Sequence, residues 1–142
     1  MNEAAFIEAL RTYWMTSGAA LTTLGASPVV ALQLWEDDEA EPDPPVPYHR
    51  TTIRSAGAAA ITVGRTREEV RGTILVQVFV PGDMGLGPGE RLASAVAKKW
   101  RAFRHSRVRC GPPSIAGLSR QGAFNRQLVT IGWRADLRPA TA

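Results

Sequence analysis

Apolar residues recur along this chain at two different periods. Over residues 2–16, Phe6, Leu10, Tyr13 and Trp14 fall at i, i+4, i+7 and i+8. That is one face of a 3.6-residue turn and predicts a helix. Asn2 suits its N-cap, Glu3 and Glu8 suit its early turns, and Gly18 suits its stop. The pattern returns over residues 88–104, where Leu92, Val96, Trp100 and Phe103 form one stripe. Pro88 fits the first helical position. Burial of each large side chain contributes about 1.5–3 kcal/mol, so this stripe is expected to anchor the helix on a sheet.

Elsewhere the period shortens to two. Val70 to Val80 is the clearest strand: Ile74, Val76, Val78 and Val80 share one face, and Thr73, Leu75, Gln77 and Phe79 share the other. Val29 to Trp35 predicts a first strand. Tyr48 to Ser55 and Ala58 to Arg65 predict two more, joined near Ala56-Gly57. Ser106 to Cys110 predicts a short strand that Gly111-Pro112-Pro113 breaks, and residues 114–120 an edge strand. Phe124 to Asp136 closes the chain with Val129, Ile131, Trp133 and Ala135 on one face. Strands in runs, bracketed by helices, predict an α+β fold: a mixed, mainly antiparallel sheet packed by an N-terminal helix and the helix at 88–104.

Two segments fit neither period. Residues 36–47 hold four prolines and six acids, which remove donors and repel, so a long acidic Pro-rich loop is expected there. Residues 137–142 read as a flexible tail. With 142 residues and 44% hydrophobic composition, the whole chain 1–142 reads as a single domain.

Charge divides the chain unevenly. Residues 1–43 carry eight acids and one base, a net of −7, and the remainder carries +11, giving +4 in all. A molecule split in this way can attract copies of itself head to tail, or two different partners. The N-terminus lacks the basic flank and apolar core of a signal peptide, and the longest apolar runs are too short for a bilayer. We expect a soluble protein, made in a cytoplasm, with no membrane partner.

Candidate chemistry is sparse. Cys110 is the only cysteine, so no intrachain disulfide forms, and it is expected to be a buried or half-buried structural residue. His49 and His105 have no companion at metal-ligand spacing, and His49 reads as a solvated strand-end residue. The run Gly82 to Gly89 precedes a helix but lacks Gly-Lys-Ser/Thr, so it reads as a connection rather than a phosphate loop. The acids at 36–43 lack the glycine and spacing of a calcium loop. No nucleophile stands with a base and an orienting acid. No catalytic residue, metal or cofactor is therefore predicted. A basic cluster (Lys98, Lys99, Arg101, Arg104, His105, Arg107 and Arg109, with Arg120, Arg126, Arg134 and Arg138 beyond) leaves nucleic-acid binding open as an alternative. On the helix these bases lie opposite the Leu92 stripe, where they also suit a plain wet face.

The order of features resembles the tail terminator proteins of long-tailed bacteriophages. An N-terminal amphipathic helix precedes a strand ending in Trp35-Glu36. A proline-containing loop leads to Pro47-Tyr48-His49-Arg50, and the strand Gly72 to Val80 runs into Pro81-Gly82. The helix with Ala93, Ala97 and Trp100 follows, then Val108-Arg109-Cys110-Gly111-Pro112-Pro113-Ser114 and the strand from Arg126 to Ile131. The likeness covers roughly residues 3–136. The chain departs from the family in its acidic loop at 36–43 and in Cys110, where an aromatic is common.

The resemblance implies a virion protein without catalytic residues, forming a homohexameric ring. That ring would cap the head-proximal end of the tail tube, stop its polymerisation, and offer a surface to a head-completion or connector protein. The partners implied are like copies, the tail tube protein, the connector, and DNA in the lumen; another head–tail connector protein is the alternative. A ring needs two unlike surfaces. The acids Glu36, Asp37, Asp38, Glu39 and Glu41 are the candidates for one, and Arg101, Arg104 and Arg107 of a neighbouring subunit for the other. Leu92, Val96, Trp100, Phe103, Ile74, Val76 and Val78 are the candidate core.

Overall fold

The alternation at residues 70–80 forms the spine of a six-stranded sheet. In a computed structural model of the chain, residues 3–19, 21, 31–38, 45–60, 68–85 and 87–137 are described. Helix α1 spans Glu3–Ser17 and strand β1 Leu32–Trp35. Strands β2, Tyr48–Ala60, and β3, Glu68–Pro81, follow. A 3-10 turn at Gly82–Met84 leads to helix α2, Gly87–Arg101. Strands β4 (Val108–Cys110), β5 (Ser114–Gln121) and β6 (Phe124–Leu137) complete the chain.

The strand order is β1-β2-β3-β6, with β4 and β5 both paired to the outer side of β6. Only β1 and β2 run parallel; the other pairs are antiparallel, so the fold is α+β with a mixed sheet. β4 and β5 are two pieces of one edge, parted at Gly111-Pro112-Pro113 because proline cannot donate to a ladder. β5 turns into β6 through Gly122-Ala123, where Gly122 holds φ 59°, a conformation glycine adopts without strain.

Both helices share one face of the sheet. There α1 meets β2, and α2 meets β3 and β6. Val70, Ile74, Val76, Val78 and Val80 of β3 and Val129, Ile131, Trp133 and Ala135 of β6 are buried beneath them. Leu92, Val96, Trp100 and Phe103 descend onto this layer, and Phe6, Leu10 and Trp14 join the same core. The helices lock together through rings. Trp14 stacks on Trp100 with centroids 4.9 Å apart, and Tyr13 sits edge-on to Phe103 at 4.9 Å. The Tyr13 hydroxyl donates to the Lys99 carbonyl.

One further contact ties three strands. The Trp133 indole crosses over Gly72 of β3 and donates to the Arg54 carbonyl of β2 at 3.1 Å. A Cβ at Gly72 would stand 2.1 Å from that carbonyl oxygen and 2.4 Å from the indole, so only glycine permits the crossing.

Four expectations need correction. The two strands expected over 48–65 are one strand as far as Ala60, running through a bulge between Ser55 and Gly57 and pairing with β3 on both sides of it. The small residues there absorb one extra position instead of reversing the chain; residues 61–65 lie outside the described set. Helix α2 ends at Arg101, not at 104: the Phe103 amide donates to the Trp100 carbonyl at 3.2 Å, tightening the last turn. The Arg104 guanidinium then donates to the Arg101 and Phe103 carbonyls at 2.8 and 2.7 Å, and Phe103 stays in the core although it has left the helix. Leu137, expected in the tail, is paired with Glu68. His49, expected in solvent, is fully buried, for reasons given below. The N-cap reading at Asn2, the first residues of the expected β1, most of the acidic loop and residues 138–142 lie outside the described set.

Candidate functional site

The second face of the sheet carries no helix among the described residues. Register places Leu34 of β1, Tyr48, Arg50, Thr52 and Arg54 of β2, and the odd-numbered positions of β3 on it, with Arg109 of β4 and the even-numbered positions of β6. At one end it holds a small aromatic cluster. Tyr48 and Phe79 stack at 4.5 Å, and Phe124 stands edge-on to both. The Arg50 guanidinium lies 5.7 Å from the Tyr48 ring centre, where the ring face offsets part of its desolvation.

At the opposite end the same face carries a row of arginines, with Glu69 and Asp136 as the rank beyond it. Arg71 of β3, Arg134 of β6 and Arg109 of β4 are direct cross-strand neighbours in one row, and all three are exposed. Like charges placed directly opposite destabilise a sheet, so packing does not select this row. Arg71 is paired with Glu69 of its own strand. Arg109 and Arg134 have no ion pair among the described residues.

The acids expected to form the other surface follow β1. Glu36, Asp37 and Asp38 are exposed, and the Asp38 carboxylate accepts from the Trp35 amide at 2.7 Å, closing a tight turn. Glu36 pairs with Arg54 of the same chain at 2.8 Å, with both side chains more than half exposed. Glu39 and Glu41 lie outside the described residues.

The bases expected opposite them fare differently. Arg104 is spent on the end of α2, and the Arg107 guanidinium donates to the Asp136 carbonyl at 3.4 Å. Arg101 is exposed with Lys98 and Lys99 on the wet side of α2. A groove of about 640 Å³ runs along that side, lined by Glu90, Arg91, Ser94, Lys98 and Lys99 with Leu21. Neither the row at Arg71, Arg109 and Arg134 nor the Glu36–Arg54 pair was visible in the sequence. Both depend on which strands become neighbours and in what register.

Buried polar chemistry concentrates where α1 ends. Its last carbonyls are taken by side chains from β1 and β2. The Gln33 amide donates to the Trp14 carbonyl at 2.7 Å, and His49 Nε2 donates to the Gly18 carbonyl at 2.8 Å. The Trp14 indole donates to Thr51 Oγ1 at 2.7 Å. A carbonyl only accepts, so Nε2 carries the hydrogen, and Nδ1 is buried with no partner; a lowered pKa keeps the imidazole neutral near pH 7. Desolvation therefore pushes the His49 pKa down to about 4, although the Gly18 carbonyl works the other way. This is a structural clamp. Cys110 is half-buried on the helix-side face, and desolvation pushes its thiol up to about 12, which leaves it a poor nucleophile. Among the described residues no group of three His, Cys, Asp or Glu side chains could hold a metal, and no helix is long and apolar enough to cross a membrane.

No protein-family model matches this chain, and no curated protein does. A solved structure whose name describes no function aligns with a TM-score of 0.67 at 18% identity, over 98% of this chain and 99% of its own. At that identity the likeness is one of fold.

Proposed function

We propose that this chain is a structural protein of a phage-like particle, one copy in a tail-terminator-like ring that caps the head-proximal end of the tail tube. The reading starts from the family resemblance in the sequence. One structural observation carries it further: the sheet has two chemically unlike edges. β1 and the acidic turn after it border one side; β4 and β5, with exposed Arg109, border the other. Unlike edges suit a heterologous contact, in which one surface of each copy meets a different surface of the next until the rotation closes.

Electron microscopy of the assembled particle tests this. The expected result is a closed ring of this polypeptide between tube and head, and tubes of uncontrolled length when it is deleted. Normal tube lengths without the chain refute the reading. A second reading, a nucleic-acid-binding module, draws on Arg109 and Arg134. It expects a monomer or dimer whose affinity for duplex DNA falls steeply with salt.

A further inference from the structure

The acidic turn and the arginine row sit at the same end of the sheet, the turn at the β1 edge and the row running from β3 out to the β4 edge. Glu36 reaches Arg54, which is paired with Thr73, which is paired with Gly132. The arginine row is the next same-face rank along the strands, Arg71 to Arg134 to Arg109. The two features thus differ by about 7 Å along the strands, and across the sheet three and four inter-strand spacings, about 14 and 19 Å, separate the β1 edge from Arg134 and Arg109. Among the described residues Glu36 reaches Arg54, and Arg109 and Arg134 have no ion pair, with Glu69 and Asp136 forming the next rank on the same face. Of the three bases expected at this contact from sequence, Arg104 and Arg107 already serve backbone carbonyls of their own chain, and Arg101 is exposed on the wet side of α2, away from this row.

We propose that the exposed Arg109–Arg134 pair is the docking surface for the acidic turn, Glu36 to Asp38, of a second copy of this chain. The inference rests on the ring reading and names the contact that would close it. Charge complementarity selects the occupant. Arg109 and Arg134 are adjacent like charges with no ion pair among the described residues, and the other edge of the same molecule presents three consecutive exposed acids at almost the same height; Glu36 already pairs with Arg54 and Asp38 closes its own turn, so Asp37 leads the contact. A head-to-tail step brings the β1 edge of one copy beside the β4 edge of the next, so each step satisfies one pair and exposes another. The exposed charges direct and register the encounter, and contact area must supply the remaining affinity.

The test uses two full-length variants, R109E/R134E and E36R/D37R, in sedimentation and light scattering. One reverses the arginine pair and the other reverses two of the three acids of the turn. Wild-type protein is expected to self-associate, more strongly at about 50 mM than at about 500 mM salt, because these charges are screened. Each variant alone should associate about tenfold more weakly or worse. Their equimolar mixture should recover association, since every alternating contact is again acid to base, and misfolded variants could not recover in this way.

Unchanged association of the single variants overturns the contact while leaving a ring intact, and so does a mixture that fails to recover. A wild-type chain that stays monomeric at low salt also overturns it; the ring itself is judged separately, by microscopy of the particle. Binding of a duplex DNA probe that R109E/R134E abolishes, with self-association unaltered, assigns the arginines to nucleic acid and overturns the proposal.

Discussion

Lowering the pH should unclamp α1 through one side chain. His49 is fully buried, gives its only ring hydrogen to the Gly18 carbonyl, and has nothing to receive a second hydrogen at Nδ1. Its pKa is about 4 in the folded protein against an ordinary 6.5. The unfolded chain therefore takes up a proton as pH falls through 6.5, and the folded chain does so only near 4. Stability from this group is complete above the upper value, declines between the two, and is fully lost below the lower one. At about 1.4 kcal/mol per unit the loss amounts to about 3 kcal/mol, a sizeable share of the 5–15 kcal/mol of a typical domain. The assay is urea unfolding at several pH values from about 7 to about 4, on wild type and on His49→Gln, whose amide can still donate to Gly18 but does not titrate. Carboxylates contribute equally to both proteins, so the difference between the curves isolates His49. Parallel curves for the two proteins would show that the imidazole is not held neutral and that this account of the clamp is wrong.

Other substitutions probe the packing. Trp100→Ala removes a buried ring shared by both helices and should cost about 3–5 kcal/mol in denaturant unfolding; a loss below about 1 kcal/mol would mean that the α1–α2 contact is not formed in solution. Gly72→Ala drives a methyl into the Arg54 carbonyl and the Trp133 ring and should cost at least the 1–3 kcal/mol typical of overpacking, read as a drop in Tm; an unchanged Tm argues against the crossing of Trp133. Glu36→Gln breaks an ion pair exposed on both sides and should shift stability by at most about 1 kcal/mol. Cys110 should react slowly with a thiol reagent at about pH 8 and rapidly once urea unfolds the chain; equal rates would show the thiol to be open to solvent.

The sequence displayed those parts of the fold that carry their own period. The stripe through Leu92, Val96 and Trp100 and the alternation at Ile74, Val76 and Val78 each needed one element only, and both lie in the core. Gly57 misled because the same residue serves a turn and a bulge, and only the pairing with β3 distinguishes them. His49 misled for a related reason. Its partner, the Gly18 carbonyl, lies 31 residues away, and nothing local announces that a helix will end over the strand. The arginines hid most completely. Arg71, Arg109 and Arg134 are far apart in the chain and become a row only through two strand registers. Surfaces made by register are invisible to a reading that proceeds element by element.

The Gly111-Pro112-Pro113 break bears on how such a subunit survives before it is used. A long uninterrupted rim of amides invites copies of a chain to stack without limit. Two prolines without N–H groups divide the rim into pieces of three and eight residues, and among the described residues Ile115 is a large apolar side chain exposed on it. Under the proposed ring, joining is thereby shifted from the main chain to side chains, which accept one partner in one orientation, so that geometry rather than the supply of protein sets the number of copies.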